Sequence, residues 1–180
     1  MVNLKTASAF QDVDAKQIGT VTVCPADERV LTLIAPLPGQ TPALTEAMEG
    51  ALGLGFPEPG GVTRAGDIRC VWMGRDQAVL IGSAPLAEWQ WPALISDQSD
   101  GWAVLKVSGP EAAEVLARSM PINVRAMEGA ARTQCGHIPI SVSRIGPENY
   151  EIMCFRSMAH SLFREIAHSA ALLAARRELS

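Results

Sequence analysis

Few residues in this 180-residue sequence are spaced for chemistry, and Cys135-Gly136-His137 is the sharpest case. Two positions apart on a strand, a thiol and an imidazole would share one face and could act as nucleophile and base. No third orienting group or oxyanion loop stands beside them, so a structural histidine at a strand end is the better account. His160 and His168 lie two helical turns apart without a partner at metal-ligand spacing, which predicts exposed side chains rather than a zinc site. Asp97 and Asp100 read as turn caps ahead of a strand. Gly50 to Gly61 is glycine-rich but holds neither G-K-[ST] nor G-x-G-x-x-G, so it reads as a loop. Ser108-Gly109-Pro110 opens a helix whose N–H groups could receive an anion. Pro110 removes one donor and Glu111 repels negative charge, so capping fits better. No catalytic, cofactor-binding or metal-ligating residue is assigned. The strongest interaction signal is aromatic. Trp89 and Trp91, beside Pro92, could anchor a partner interface, because large rings bury much area at low entropy cost. Covering an edge of the chain's own core is the competing role.

Composition narrows the function classes. A net charge of −4 and a pI near 5.4 argue against wrapping nucleic acid, which needs a clustered excess of Lys and Arg. Arg125, Arg132, Arg144, Arg156 and Arg164 are spread through the second half instead. Hydrophobic residues make up 48% and charged residues 19%, a balance tilted towards a protein that hides surface against a partner. No apolar run approaches the roughly 18 residues of a membrane helix, and Met1 to Asp14 lacks a signal peptide's basic start and apolar centre. A cytoplasmic protein without a membrane partner is expected. Cys24, Cys70, Cys135 and Cys154 show no C-x-x-C spacing and sit mostly in apolar runs, so they read as small buried thiols.

The elements that must position these residues follow from periodicity. Thr20 to Val23 and Val30 to Ile34 are strand-like, the second bounded by Pro36, Pro38 and Gly39. Thr41 is the expected N-cap of a helix with Pro42 in its first turn. Leu44, Ala47, Met48, Ala51 and Leu52 form its apolar face, and Gly53 and Gly55 stop it. Ile68 to Met73 and Ala78 to Ile81 make a hairpin around Gly74-Arg75-Asp76-Gln77. The order then recurs. Trp102 to Val107 is a strand, and Ser108 with Glu111 has capping-box spacing. Ala112, Val115, Leu116, Ser119 and Met120 predict a helix ended by Pro121. Ile138, Ile140 and Val142 alternate with Pro139, Ser141 and Ser143 as a half-buried strand, Pro139 marking an edge or bulge. Tyr150 to Phe155 follows, and a long helix from Met158 carries Leu162, Phe163, Ile166, Ala170 and Leu173 on one stripe. The expected fold is a single α+β domain over 1–180. Its two β-α-β-β halves, about 28–85 and 97–175, are joined by a linker or short helix near 86–96, and a C-terminal helix completes it.

Placed on these elements, the wording of the chain resembles the sarcosine oxidase gamma-subunit family, within the wider group sharing the folate-binding fold of the glycine-cleavage aminomethyltransferase. Leu52-Gly53-Leu54-Gly55-Phe56-Pro57 and Pro59 resemble the family's glycine–proline connection. Trp72-Met73-Gly74-Arg75-Asp76-Gln77-Ala78-Val79-Leu80 resembles its W-x-G-P-D-x-W-L hairpin, with Arg75 for proline and Ala78 for the second tryptophan. Asp97-Gln98-Ser99 and Ser108-Gly109-Pro110, with Ala113, Val115 and Leu116, resemble D-x-S … S-G-P … A … V-L. Pro121-Ile122-Asn123-Val124 resembles P-x-D-L with asparagine for aspartate. Arg156-Ser157-Met158-Ala159-His160-Ser161-Leu162 resembles R-S-Y-A-x-S-L with methionine for tyrosine. The likeness runs from about residue 28 to 168, in six pieces in the right order.

The resemblance implies a gamma subunit without its own active site, assembled with alpha, beta and delta subunits into a heterotetrameric flavoenzyme that oxidatively demethylates sarcosine. FAD, FMN, NAD, zinc and tetrahydrofolate would belong to those partners. The related N-methylglutamate dehydrogenase has a similar subunit plan and stays open as an alternative. So does a stand-alone tetrahydrofolate-dependent aminomethyltransferase-like protein. Active transferases of the group place an acidic pair on or after the strand that here reads Gly136 to Arg144. No Asp or Glu occurs from Ala130 to Pro147, so the transferase reading loses its centre. A binding domain outside this group would be favoured if the two halves had unlike strand orders.

Overall fold

Alternating apolar runs punctuated by glycine turns commit more of the described chain to antiparallel strands than to helices. The computed structural model describes residues 7–26, 30–84 and 89–179. Within them the order is β1 (Lys16–Ile18), β2 (Val21–Pro25), β3 (Leu31–Pro36), α1 (Thr41–Leu52), β4 (Val62–Ala65), β5 (Ile68–Gly74), β6 (Gln77–Ile81) and β7 (Ala93–Asp97). It continues through β8 (Trp102–Ser108), α2 (Ala112–Ala117), β9 (Ala130–Cys135), β10 (Ile138–Gly146), β11 (Asn149–Phe155) and α3 (Ala159–Glu178). None of the described helices is long and apolar enough to cross a membrane.

Two antiparallel sheets result, ordered β4-β5-β6-β3-β7 and β1-β2-β8-β11-β10-β9. Within them lies one plan used twice. A strand leads into a helix, a three-stranded meander follows, and the last strand of the meander pairs with the first strand. The first half thus gives β4-β5-β6-β3 and the second β9-β10-β11-β8. The strand orders match, and each half carries one strand more than the β-α-β-β expectation. The added strands are β4 and β9. Each sheet then gains a fifth strand beside its entry strand: β7 pairs with β3 at Ala35 and Leu94, and β2 pairs with β8 at Val23 and Val107. Residues 93–96, expected to be linker or short helix, are therefore sheet. Residues 86–88 of that linker lie outside the described residues.

Side-chain alternation stacks the sheets into four layers. Ala103, Leu105 and Val107 of β8, with Tyr150, Ile152 and Cys154 of β11, face α2 and α3, where they meet Val115, Leu162, Phe163 and Ile166. The opposite face offers Val104 and Met153 to Leu31, Val71, Met73, Val79 and Ile81 of the other sheet. Beyond that sheet, Ile34, Cys70, Ala78 and Leu80 pack under Leu44 and Met48 of α1. The order is α2 and α3, sheet, sheet, α1. The sheets join at a corner where the Ala130 N–H donates to the Gly60 carbonyl at 2.7 Å. A Cβ on Gly129 would lie 2.1 Å from that same carbonyl oxygen, so only glycine lets the two backbones approach this closely.

Local chemistry departs from expectation in places. The N-cap of α1 is Gln40, without a side-chain cap bond, and Thr41 and Pro42 are already in its first turn. Gly53 does close the helix in the left-handed conformation at φ 73°, as a C-terminal glycine should. The Ser108–Glu111 capping box does not form. Ser108 ends β8, and Glu111 accepts from the Thr20 hydroxyl at 2.7 Å and from Arg177 Nε at 2.8 Å. Glu111 thereby ties the β1–β2 turn to the end of α3, and the hydrogen bond from Thr20, then that from Arg177, hold its carboxyl below the usual range. Helix α2 stops at Ala117, short of Pro121. Ser141 and Ser143 are buried rather than solvated, because the second face of β10 is covered by the other sheet. Pro139 sits where β10 is paired with β9 but pairing with β11 begins only at Ile140. The strand is a local edge there, as proline requires.

Candidate functional site

The sequence-level candidates for catalysis do not assemble. Cys135 ends β9 and Ile138 begins β10, so Gly136 and His137 are the two-residue turn between them. Cys135 is buried and His137 exposed. The shared strand face that a nucleophile–base pair needs does not exist, because Gly136 turns the chain at φ 58°. Burial first, then the nearby Glu165 charge, pushes the Cys135 thiol up to about 12. Such a thiol holds its proton and is a poor nucleophile. His160 and His168 are exposed on α3, and no cluster of His, Cys, Asp and Glu among the described residues could hold a metal ion. Asp97 caps its turn as expected. Its Oδ1 accepts from the Ser99 N–H at 2.9 Å and hydroxyl at 2.6 Å, which lowers its pKa. Ser108-Gly109-Pro110 packs against the β1–β2 turn, where a Cβ on Gly109 would lie 2.1 Å from the Thr20 carbonyl oxygen. No ligand could occupy that space.

Trp89 and Trp91 stack with centroids 4.1 Å apart and planes within 10°. The pair lies half-buried against the core formed by Ile34, Leu44, Met48 and Leu80. It covers the chain's own core, and its outer surface remains available.

A buried ion pair with charged neighbours lies between the sheets. Register places Glu151 opposite Ser143 on one side and Lys106 on the other, so all three share the face turned towards the other sheet. Arg69, on the inner face of β5, crosses the gap and forms an ion pair with Glu151. The Glu151 side chain is 1% exposed and that of Arg69 12%. At this end the sheets enclose a cavity of about 400 Å³ lined by Arg64, Asp67, Arg69, Lys106, Ile145 and Glu151. Sequence reasoning missed Glu151. The signal was available, since a lone carboxylate inside Tyr150-Glu151-Ile152-Met153-Cys154 cannot be solvated if both faces of that strand are covered.

The other end of the inter-sheet space is apolar and aromatic. Trp102 meets Phe155 with centroids 4.8 Å apart, and the Arg132 guanidinium lies 5.5 Å from the Trp102 ring, within cation–π range. A second cavity of about 390 Å³ opens beside them, lined by Phe10, Leu31, Trp102, Val104 and Arg156 with Ser99 and Asp100 at its edge. The inward positions of β10, on the strand where the resemblance led to an expected acidic pair, carry Ser141 and Ser143. The Ser141 Oγ is buried without a hydrogen-bond partner among the described residues. Hydroxyls at ordinary pKa cannot exchange a proton with a departing amine as carboxylates can.

Comparison with known proteins places this arrangement. The sequence is 29% identical over 153 residues to the sarcosine oxidase subunit gamma of Corynebacterium sp. (strain U-96), covering 71% of this chain and 73% of that one. By sequence and by fold, this chain is similar to the sarcosine oxidase gamma subunit. The fold likeness is to a chain of the heterotetrameric sarcosine oxidase from Corynebacterium sp. U-96, solved in complex with pyrrole 2-carboxylate. The TM-score is 0.76 at 23% identity, over 92% of this chain and 91% of that one. The aminomethyltransferase T of the glycine cleavage system from Bartonella henselae has the same fold at a TM-score of 0.57 and 14% identity. That match takes in 83% of this chain but 46% of the transferase. No family model matches the sequence. The chain thus shares the transferase's double sheet, with serines and an ion pair where its inner faces meet.

Proposed function

We propose that this chain is the non-catalytic gamma-type subunit of a heterotetrameric sarcosine oxidase-like flavoenzyme, with a structural and assembly role. The observation that carries it is the sequence identity to a gamma subunit across nearly three quarters of both chains. Matched coverage of both chains at the level of the fold supports it. The absence of a paired carboxylate on the inward face of β10 agrees with a scaffold that others hold. Alpha, beta and delta subunits are the proposed partners, and FAD, FMN, NAD, zinc and tetrahydrofolate are assigned to them. The cytoplasm is the location proposed for the whole assembly. The half-buried outer surface of Trp89 and Trp91 is the contact proposed for a partner, since a rigid stacked pair loses little freedom on binding.

Co-expression with candidate flavoprotein subunits, followed by size-exclusion chromatography, tests the proposal. The chain should co-elute with them in a complex that oxidises sarcosine, and by itself should neither oxidise sarcosine nor release heat on titration with tetrahydrofolate. A chain that stays monomeric beside every such partner, or that turns over substrate by itself, overturns the reading.

A further inference from the structure

We propose that the cleft around Lys106 binds a small free carboxylate. The charges lining it set the argument. Arg69 and Glu151 neutralise one another across the sheets. The Arg64 guanidinium donates to the Arg144 carbonyl at 2.9 Å and the Ile145 carbonyl at 3.1 Å, which fixes it as part of the wall. Asp67, exposed in the β4–β5 turn, adds a second negative charge at the rim. Lys106 remains. It is half-buried, on the inner face of β8, and among the described residues no carboxylate lies within ion-pair distance of it and no acceptor within hydrogen-bond distance.

An ammonium drawn partly out of water without a counter-charge is costly, and an anion beside it removes that cost. The surplus is one positive charge. A monocarboxylate satisfies it, whereas a phosphate or a dicarboxylate would bring excess negative charge against Glu151 and Asp67. The volume of about 400 Å³ lies in the range of small-ligand sites. The walls also supply orientation, because Arg69 and Arg64 are held by their own partners and do not have to be ordered on binding.

Acetate is the probe. The purified chain is titrated with sodium acetate against sodium chloride at matched ionic strength, following amide shifts by two-dimensional NMR and the unfolding temperature. Saturable shifts confined to Lys106, the β4–β5 turn and the end of β10 are expected with acetate and not with chloride. Lys106→Met should weaken acetate binding about tenfold or more, as loss of a charge-assisted contact does. Lys106→Arg should retain binding, and serves if the methionine variant folds poorly. Lys16→Met, exposed on β1, should change nothing. Linear shifts of equal size for both salts overturn the proposal, as does an affinity unchanged in Lys106→Met. A Lys106→Met variant that loses its partner subunits while the wild-type chain ignores acetate also overturns it, and reassigns the cleft to an acidic side chain of a partner.

Discussion

The Arg69–Glu151 pair is a costly polar feature, since both charges largely leave water between two sheets. Removing one partner strands the other, and that penalty exceeds the net worth of the pair. Arg69→Met and Glu151→Met should each destabilise the chain by about 3 kcal/mol, measured by urea unfolding. The double variant should be markedly more stable than either single one, because no buried charge is left over. Additive losses would show that the pair is solvated in solution. The thiols give a second prediction at this scale. Burial is the first cause pushing Cys70, Cys135 and Cys154 each up to about 12, from an ordinary value near 9. A thiol raised in the folded state is neutral in both states below pH 9, so its contribution is fully present there. As pH rises from 9 towards 12 the unfolded chain ionises while the folded chain does not, and stability falls. The slope per thiol should approach about 1.4 kcal/mol per pH unit. Alkylation of the native chain below pH 9 should spare all three residues.

At the scale of elements, legibility tracks how much of the signal is local. The stripe on α3 and the runs of β3, β5, β6, β8 and β11 are visible because their apolar spacing is strong. β1, β4, β7 and β9 were not seen, for a shared reason. Val62-Thr63-Arg64-Ala65 and Ala130 to Cys135 alternate weakly, and Leu94 on β7 points a large apolar side chain to solvent at 70% exposure. These strands exist because a neighbour supplies backbone partners, which is information held elsewhere in the chain. Glu111 failed as a capping residue for the same reason, since Thr20 and Arg177 reach it from distant parts of the sequence. The inter-sheet corner tests this dependence on long-range packing. Gly129→Ala places a Cβ against the Gly60 carbonyl oxygen, 2.1 Å away, and should cost about 2 kcal/mol or more through forced separation of the sheets. Gly50→Ala, in open space on α1, should instead stabilise by about 0.5–1 kcal/mol. Thermal unfolding of the two variants should move in opposite directions.

For the whole molecule, the question is what this double sheet, with serines on the inward face of β10, gains from a partner. The two halves bury separate apolar layers on their outer faces and share a thinner one between the sheets. Part of the aromatic surface, Trp89 with Trp91 and the exposed edge of Phe155, is left facing outwards. Under the proposed assembly, a partner that binds only the folded chain draws the folding equilibrium towards it by mass action. With partner subunits at about one hundred times their dissociation constant, the gain is about 2.7 kcal/mol. For a chain of this size that corresponds to a rise in unfolding temperature of about 5–10 °C. The rise should scale with partner concentration and vanish at high dilution. Trp89→Phe/Trp91→Phe separates the two roles of the aromatic pair. Phenylalanine still covers Leu44 and Met48, so the isolated chain should unfold within a few degrees of wild type. The smaller outer surface should weaken association about tenfold, read by titrating the labelled chain into its partners. If association is unchanged, the pair only roofs the core, and partners dock elsewhere.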